Sequence, residues 1–85
     1  MDSTQKAIVE ALEKSGWLTL SLAQIGRGCP DLLISRHGMH RLVEVKAGRG
    51  ELTPAQVAFR KRGWHFDVVR TVDEALVVVE EFDDD

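Results

Sequence analysis

Two aliphatic runs lying close together set the tightest limit on what this chain can fold into. Leu32-Leu33-Ile34 and Leu42-Val43-Glu44-Val45 are each strand-length, and only seven residues separate them. Gly38 lies midway, within His37-Gly38-Met39-His40, and supplies the permissive backbone that a tight reversal needs. An antiparallel hairpin follows. With any symmetric even-length loop there, position i faces position 77 minus i, which sets Asp31 opposite Lys46, Leu33 opposite Glu44, and Asp31 diagonal to Glu44. Opposed and diagonal residues on paired strands share a face and lie within roughly 4.5–8 Å. Side chains alternate along a strand, so Glu44 and Lys46 point one way while Val43, Val45 and Ala47 point the other, toward a core.

One face of this hairpin therefore gathers two carboxylates and an amine, and the other stays apolar. Isolated charges on strands usually just solvate a surface. Here Glu44 and Lys46 interrupt the most apolar stretch in the middle of the chain, where charge is costly unless it is paired or metal-bound. Two carboxylates can hold a hard divalent cation such as magnesium or manganese. A lysine beside them can serve an attacking water or a phosphate. The chemistry that needs this layout is hydrolysis of a phosphodiester.

The rest of the chain reads as one domain in the order helix, strand, strand, strand, helix, strand, helix. Residues 3–15 carry Ile8, Ala11 and Leu12 on one stripe, and Gly16 closes the helix. Trp17 to Ala23 alternates apolar and polar residues as a strand does. Thr53-Pro54-Ala55-Gln56 has proline at the first helical position and a capping-box spacing, so a second helix starts there and ends near Gly63. Gln56 fits the cap, and the same side chain can also face the charged hairpin. Phe66 to Arg70 forms the fourth strand. Thr71-Val72-Asp73-Glu74 is another capping box, opening a last helix that runs to Val79 or Phe82. This order predicts an α/β (α+β) fold with a mixed sheet flanked by helices.

The motifs taken together, Gly28-x-Pro30-Asp31, Glu44-Val45-Lys46 and Leu52-Thr53-Pro54-Ala55-Gln56, resemble the VRR-NUC family of the PD-(D/E)xK nuclease superfamily, from about residue 3 to residue 76. The resemblance implies a restriction-endonuclease-like core and DNA cleavage dependent on Mg2+ or Mn2+. It implies Asp31 and Glu44 as metal ligands, joined by the carbonyl of Val45, with Lys46 as the catalytic lysine and Gln56 in support. Family members often carry a glutamate near the start of the first helix. Here that region reads Asp2-Ser3-Thr4-Gln5, with Glu10 further along. Stand-alone members resemble Holliday-junction resolvases, which implies a homodimer acting on four-way junctions.

The net charge of −3 conceals an asymmetry. Residues 27–70 hold nine Lys/Arg against four Asp/Glu, whereas the two ends together hold two against ten. A basic middle suits phosphate binding, and Arg27, Arg49, Arg60 and Lys61 are the candidate DNA contacts. The lone Cys29 excludes an internal disulfide and a cysteine metal cluster. His37 and His40 flank the turn, at the wrong end of the hairpin for the charged cluster. With no leader-like or membrane-length apolar run, the expected setting is the cytoplasm of a bacterial or phage-infected cell. Two functional classes remain, a nuclease and a non-catalytic nucleic-acid-binding or protein-interaction module. The intact Asp31, Glu44 and Lys46 favour the first.

Overall fold

A computed structural model describes residues 3–83. The elements are α1 (Ser3–Lys14), β1 (Leu18–Ser21), β2 (Leu32–Arg36), β3 (Met39–Val45), α2 (Pro54–Lys61), β4 (Asp67–Val69) and α3 (Val72–Asp83), in the expected order. They build one four-stranded sheet in the order β1-β2-β3-β4. The first three strands form an antiparallel meander, and β4 returns through α2 to lie parallel to β3. The sheet is therefore mixed, and β3, which carries Glu44, is an interior strand.

The central hairpin turns one residue earlier than expected, on His37-Gly38. His37 (φ 54°) and Gly38 (φ 79°) both take left-handed backbone, and Arg36 pairs with Met39. Two consecutive positive φ values make the two-residue turn whose twist matches that of the flanking strands. Leu32 pairs with Val43 and Leu33 with Leu42, so partners sum to 75 rather than 77. This corrects the register by one step on each strand. Leu33 does not face Glu44, and Asp31, one residue before β2, comes level with Glu44 instead of Lys46. Both sums are odd, so the assignment of residues to faces is unchanged.

On one face, Leu32, Ile34, Val43, Val45 and Val69 pack with Ile8 and Leu12 of α1 and with Ala75 and Val79 of α3. Trp17 seals the margin of this core, stacked on Phe82 at 5.5 Å between ring centroids. Val45 is the last strand residue to point inward, because Ala47 lies in the exposed loop beyond β3. Most of the apolar residues near the end of α3 are used here. Val79 is buried, Val78 and Phe82 pack against the core, and only Val77 stays exposed. Arg41 ties β3 to β4 through a 2.6 Å bond from Nε to Asp67 Oδ2 and lies over the Phe82 ring.

The opposite face is covered only in part. α2 crosses one end of it, held by Phe59, which contacts Trp64 and Phe66. Leu18 and Leu20 of the edge strand β1 stay exposed. The side chains of Asp31, Glu44 and Lys46 emerge on this α2 side.

Candidate active site

Asp31 and Glu44 are bound to each other's strands. The Asp31 amide donates to Glu44 Oε1 at 3.2 Å, and the Val45 amide donates to Asp31 Oδ2 at 2.9 Å. The Asp31 main chain is fixed in turn, its carbonyl accepting from the Leu22 amide at 2.8 Å. Glu44 is only 3% exposed, an unusual place for a carboxylate. Two donors meet its Oε2, the Gln56 Nε2 at 2.8 Å and the Lys46 Nζ at 3.3 Å. Burial raises the Glu44 carboxyl above its ordinary pKa and the Asp31 charge pushes the same way, while the bonds from Lys46 and Gln56 pull it back.

Gln56 does two things with one amide. Its Oε1 accepts from the Thr53 amide at 2.9 Å, closing the capping box with the 3.2 Å bond from the Gln56 amide to Thr53 Oγ1. Its Nε2 is left to hold Glu44. The cap that starts α2 therefore also aims a donor at the carboxylate cluster.

The loop before Asp31 locks the same helix in place. A Cβ on Gly28 would lie 2.2 Å from the carbonyl oxygen of Ala55, and the residue has φ 79°. Only glycine allows this approach of loop to helix. Pro30 behind it is fully buried. Cys29 sits between the two, its thiol pKa raised by burial and by the charges of Glu44 and Asp31.

The donor set suits a hard divalent cation. Asp31 and Glu44 face each other at one end of the hairpin, and the carbonyl of Val45 lies on the same chain segment. Burial and then the Asp31 charge raise the Glu44 pKa, and a bound cation would offset both. No group of three or more His, Cys, Asp or Glu side chains is placed for a metal among the described residues. Two carboxylates are nevertheless the usual protein share where waters and phosphates complete the shell. Glu10 is exposed on α1, which packs against the other face of the sheet, and Asp2 lies outside the described residues.

The four basic residues expected to meet DNA have different surroundings. Arg27 is exposed and lies in the left-handed region at φ 57°. Arg49 is exposed in the loop after Lys46, and Lys61 is exposed at the end of α2. Arg60 is engaged in the fold, donating from Nη2 to the Phe66 carbonyl at 2.7 Å with its guanidinium over the Phe66 ring. His40 Nδ1 bonds Ser35 Oγ and His37 accepts from Arg36, far from the carboxylates. Two contributors went unnoticed in the sequence. Arg70 Nη1 donates to the carbonyls of Gly48 and Gly50, bracing the loop that follows Lys46. Its only sequence signal is a charge closing an apolar strand. Trp64, next to the helix-ending Gly63, stands 53% exposed on the α2 side.

A mixed sheet between helices, with Asp31, Glu44 and Lys46 at the end of its central hairpin, places the fold in the restriction-endonuclease-like class. Among solved structures, the chain is similar to one described as a "VRR_NUC domain", with 34% identity and a TM-score of 0.72 over 93% of this chain and 92% of that one. At that identity and coverage the chain belongs to the VRR-NUC family of nuclease domains. No family model matches it, and no curated protein gives a significant match.

Proposed function

We propose that the protein is a divalent-metal-dependent DNA endonuclease that works as a homodimer on branched DNA, with four-way junctions as its substrate. The observation that carries the reading is the buried Glu44, set against Asp31 and contacted by both Lys46 and Gln56. A structural role would need one counter-charge, and a buried carboxylate beside a second carboxylate is a poor way to stabilise a sheet.

Asp31, Glu44 and the Val45 carbonyl would hold Mg2+ or Mn2+. Bound there, the ion supplies Lewis acidity toward the phosphate and a lowered pKa for water. Lys46 brings a positive amine to the same oxygen of Glu44, placed to orient the attacking water and to offset charge building on the phosphate. Gln56 fixes the Glu44 carboxylate against rotation, so the ligand is preorganised. Arg49, on the loop braced by Arg70, and Arg27, on the loop before Asp31, flank the cluster and supply phosphate contacts.

Pairing of two sites is supported by the open β1 edge, where Leu18 and Leu20 are 72% and 58% exposed. Among the described residues of α3, Val77 is the one large apolar side chain exposed for such a contact.

Cleavage of a four-way junction and of a linear duplex, compared with and without Mg2+ or Mn2+, tests the reading together with sedimentation of the free protein. The expected result is a dimer that makes paired incisions in the junction and is silent in chelator. Asp31→Asn, Glu44→Gln and Lys46→Met should each abolish cleavage with the fold retained. A folded variant of this set with near-full activity removes that residue from the chemistry. A monomer cutting linear duplex as readily as a junction leaves a general nuclease only.

A further inference from the structure

A cavity of about 330 Å³ opens beside the carboxylate cluster, on the α2 side of the sheet. Leu22, Ile25, Leu42, Phe59 and Trp64 make it apolar, while Arg27 and Arg62 stand at its walls. It adjoins the candidate active site at two points. Cys29, two residues before Asp31, lines it, and so does Leu42, two residues before Glu44 on the same face of β3. That separation is roughly 7 Å along the strand, about two nucleotide rises of a B-form strand.

Trp64 is the prominent feature. It stacks on Phe59 at 5.3 Å with the rings 15° from parallel, yet it remains 53% exposed. A large aromatic ring held rigidly from behind and left open in front is a stacking platform. The arginines have matching positions. Arg62 lies over the Phe59 ring at 5.4 Å. Arg27 is carried by three consecutive left-handed residues, Gly26 (φ 70°), Arg27 (φ 57°) and Gly28 (φ 79°). Left-handed backbone is unfavourable for a residue with a Cβ, and strain of that kind gathers at ligand contacts. Among the described residues the Arg27 side chain has no ion-pair partner.

The geometry points to a nucleobase site: an unpaired base of the DNA strand, next to the scissile phosphate, stacks on Trp64 in this cavity while Arg27 and Arg62 hold the adjoining phosphates. The inference rests on the nuclease reading only for the path of the strand past Asp31. Charge selects this occupant over a second copy of the chain. Among the described residues no acidic side chain lines the cavity or the neighbouring one across Trp64, of about 530 Å³, which carries His40 and His65. Two such faces brought together would oppose cation to cation, whereas a DNA strand brings both the aromatic partner and the anion. A base already unpaired at a branch point enters without the cost of unstacking a duplex.

Tryptophan emission tests this in chelator, where nothing is cut. The probes are a short oligodeoxythymidylate, an abasic strand of equal length and a blunt duplex. The oligothymidylate should quench Trp64 and bind more tightly than the abasic strand or the duplex. Trp64→Ala should weaken that binding roughly 5- to 150-fold, the range for loss of one base-stacking contact. Trp64→Phe should keep the affinity and lose the quenching, because the remaining Trp17 is buried. Equal affinity for base-bearing and abasic strands in the unaltered protein overturns the site, whatever the variants do. So does a Trp64→Ala protein that turns from dimer to monomer with strand affinity per subunit unchanged, since the face is then a subunit contact. Cleavage in Mg2+ is read separately. A protein that cuts DNA without sensing bases loses only this inference, and one that senses bases but never cuts loses only the nuclease.

Discussion

Gly26 and Gly28 sit two residues apart in one loop, and alanine at each should have very different consequences. Both have left-handed backbone, at φ 70° and 79°, so either substitution incurs the steric cost of a Cβ in that region, about 1 kcal/mol. They differ in what the new methyl group meets. At Gly26 nothing lies within 4 Å, whereas at Gly28 the Ala55 carbonyl oxygen is 2.2 Å away and the Gln56 amide nitrogen 2.9 Å. Both of those atoms are backbone at the start of α2, so the loop and the helix must move apart. Overpacking of this kind adds about 1–3 kcal/mol. In a domain of this size, each kcal/mol moves Tm by roughly 4–8 °C. Gly26→Ala should therefore melt about 4–8 °C below the parent, and Gly28→Ala roughly 10–30 °C below it. Calorimetry on metal-free protein measures both. The separation should also draw Gln56 away from Glu44, so Gly28→Ala loses cleavage even at temperatures where it is fully folded, while Gly26→Ala does not. Equal melting temperatures for the two variants would refute the close approach as the reason for glycine at 28.

Further expectations concern single side chains. Because burial and the Asp31 charge raise the folded-state pKa of Glu44, the metal-free fold is favoured while Glu44 is protonated and loses that contribution as pH rises through the raised pKa. Glu44→Gln should remove this dependence, so its Tm should gain on the parent as pH climbs above the ordinary glutamate range, and a constant difference across pH would contradict the assignment. His37→Asn should raise Tm by a few degrees, since asparagine tolerates the left-handed turn position better than histidine; an unchanged or lower Tm would show that the Arg36–His37 bond outweighs the strain. Arg70→Met removes two donors from the carbonyls of Gly48 and Gly50 and should speed amide exchange across residues 48–50 several-fold, with global stability falling by no more than about 1–3 kcal/mol. Arg49→Ala should flatten the salt dependence of DNA binding by about one unit of log–log slope, and an unaltered slope removes it from the interface.

Local patterns made much of this legible in the sequence. Alternation gave the faces of the hairpin, and capping signals gave the starts of α2 and α3 and pointed to Gln56. The register did not follow, because Gly38 can share a two-residue turn with either neighbour, and the choice of His37 over Met39 moves the centre of the hairpin by one residue. The faces survived that error because a shift of two in the pairing sum preserves side-chain parity. Gly28 could be noticed as part of a motif, but its reason, a helix carbonyl 27 residues further along the chain, belongs to tertiary structure. The same holds for Trp64, whose exposure follows only from α2 leaving the sheet beyond it uncovered, and for Arg60, whose bond to the Phe66 carbonyl ties α2 to the chain entering β4.

The mutual hold of Asp31 and Val45 gives the protein a built-in spectroscopic reporter. The Val45 amide ends its strand on a side-chain oxygen instead of a main-chain carbonyl, so its proton shift and exchange rate follow the carboxylate directly. A cation drawing on Asp31 must change the electron density at that acceptor. One backbone resonance can then follow metal occupancy in the absence of DNA, distinguish Mg2+ from Mn2+ through paramagnetic broadening, and show whether two sites in a dimer fill independently or together.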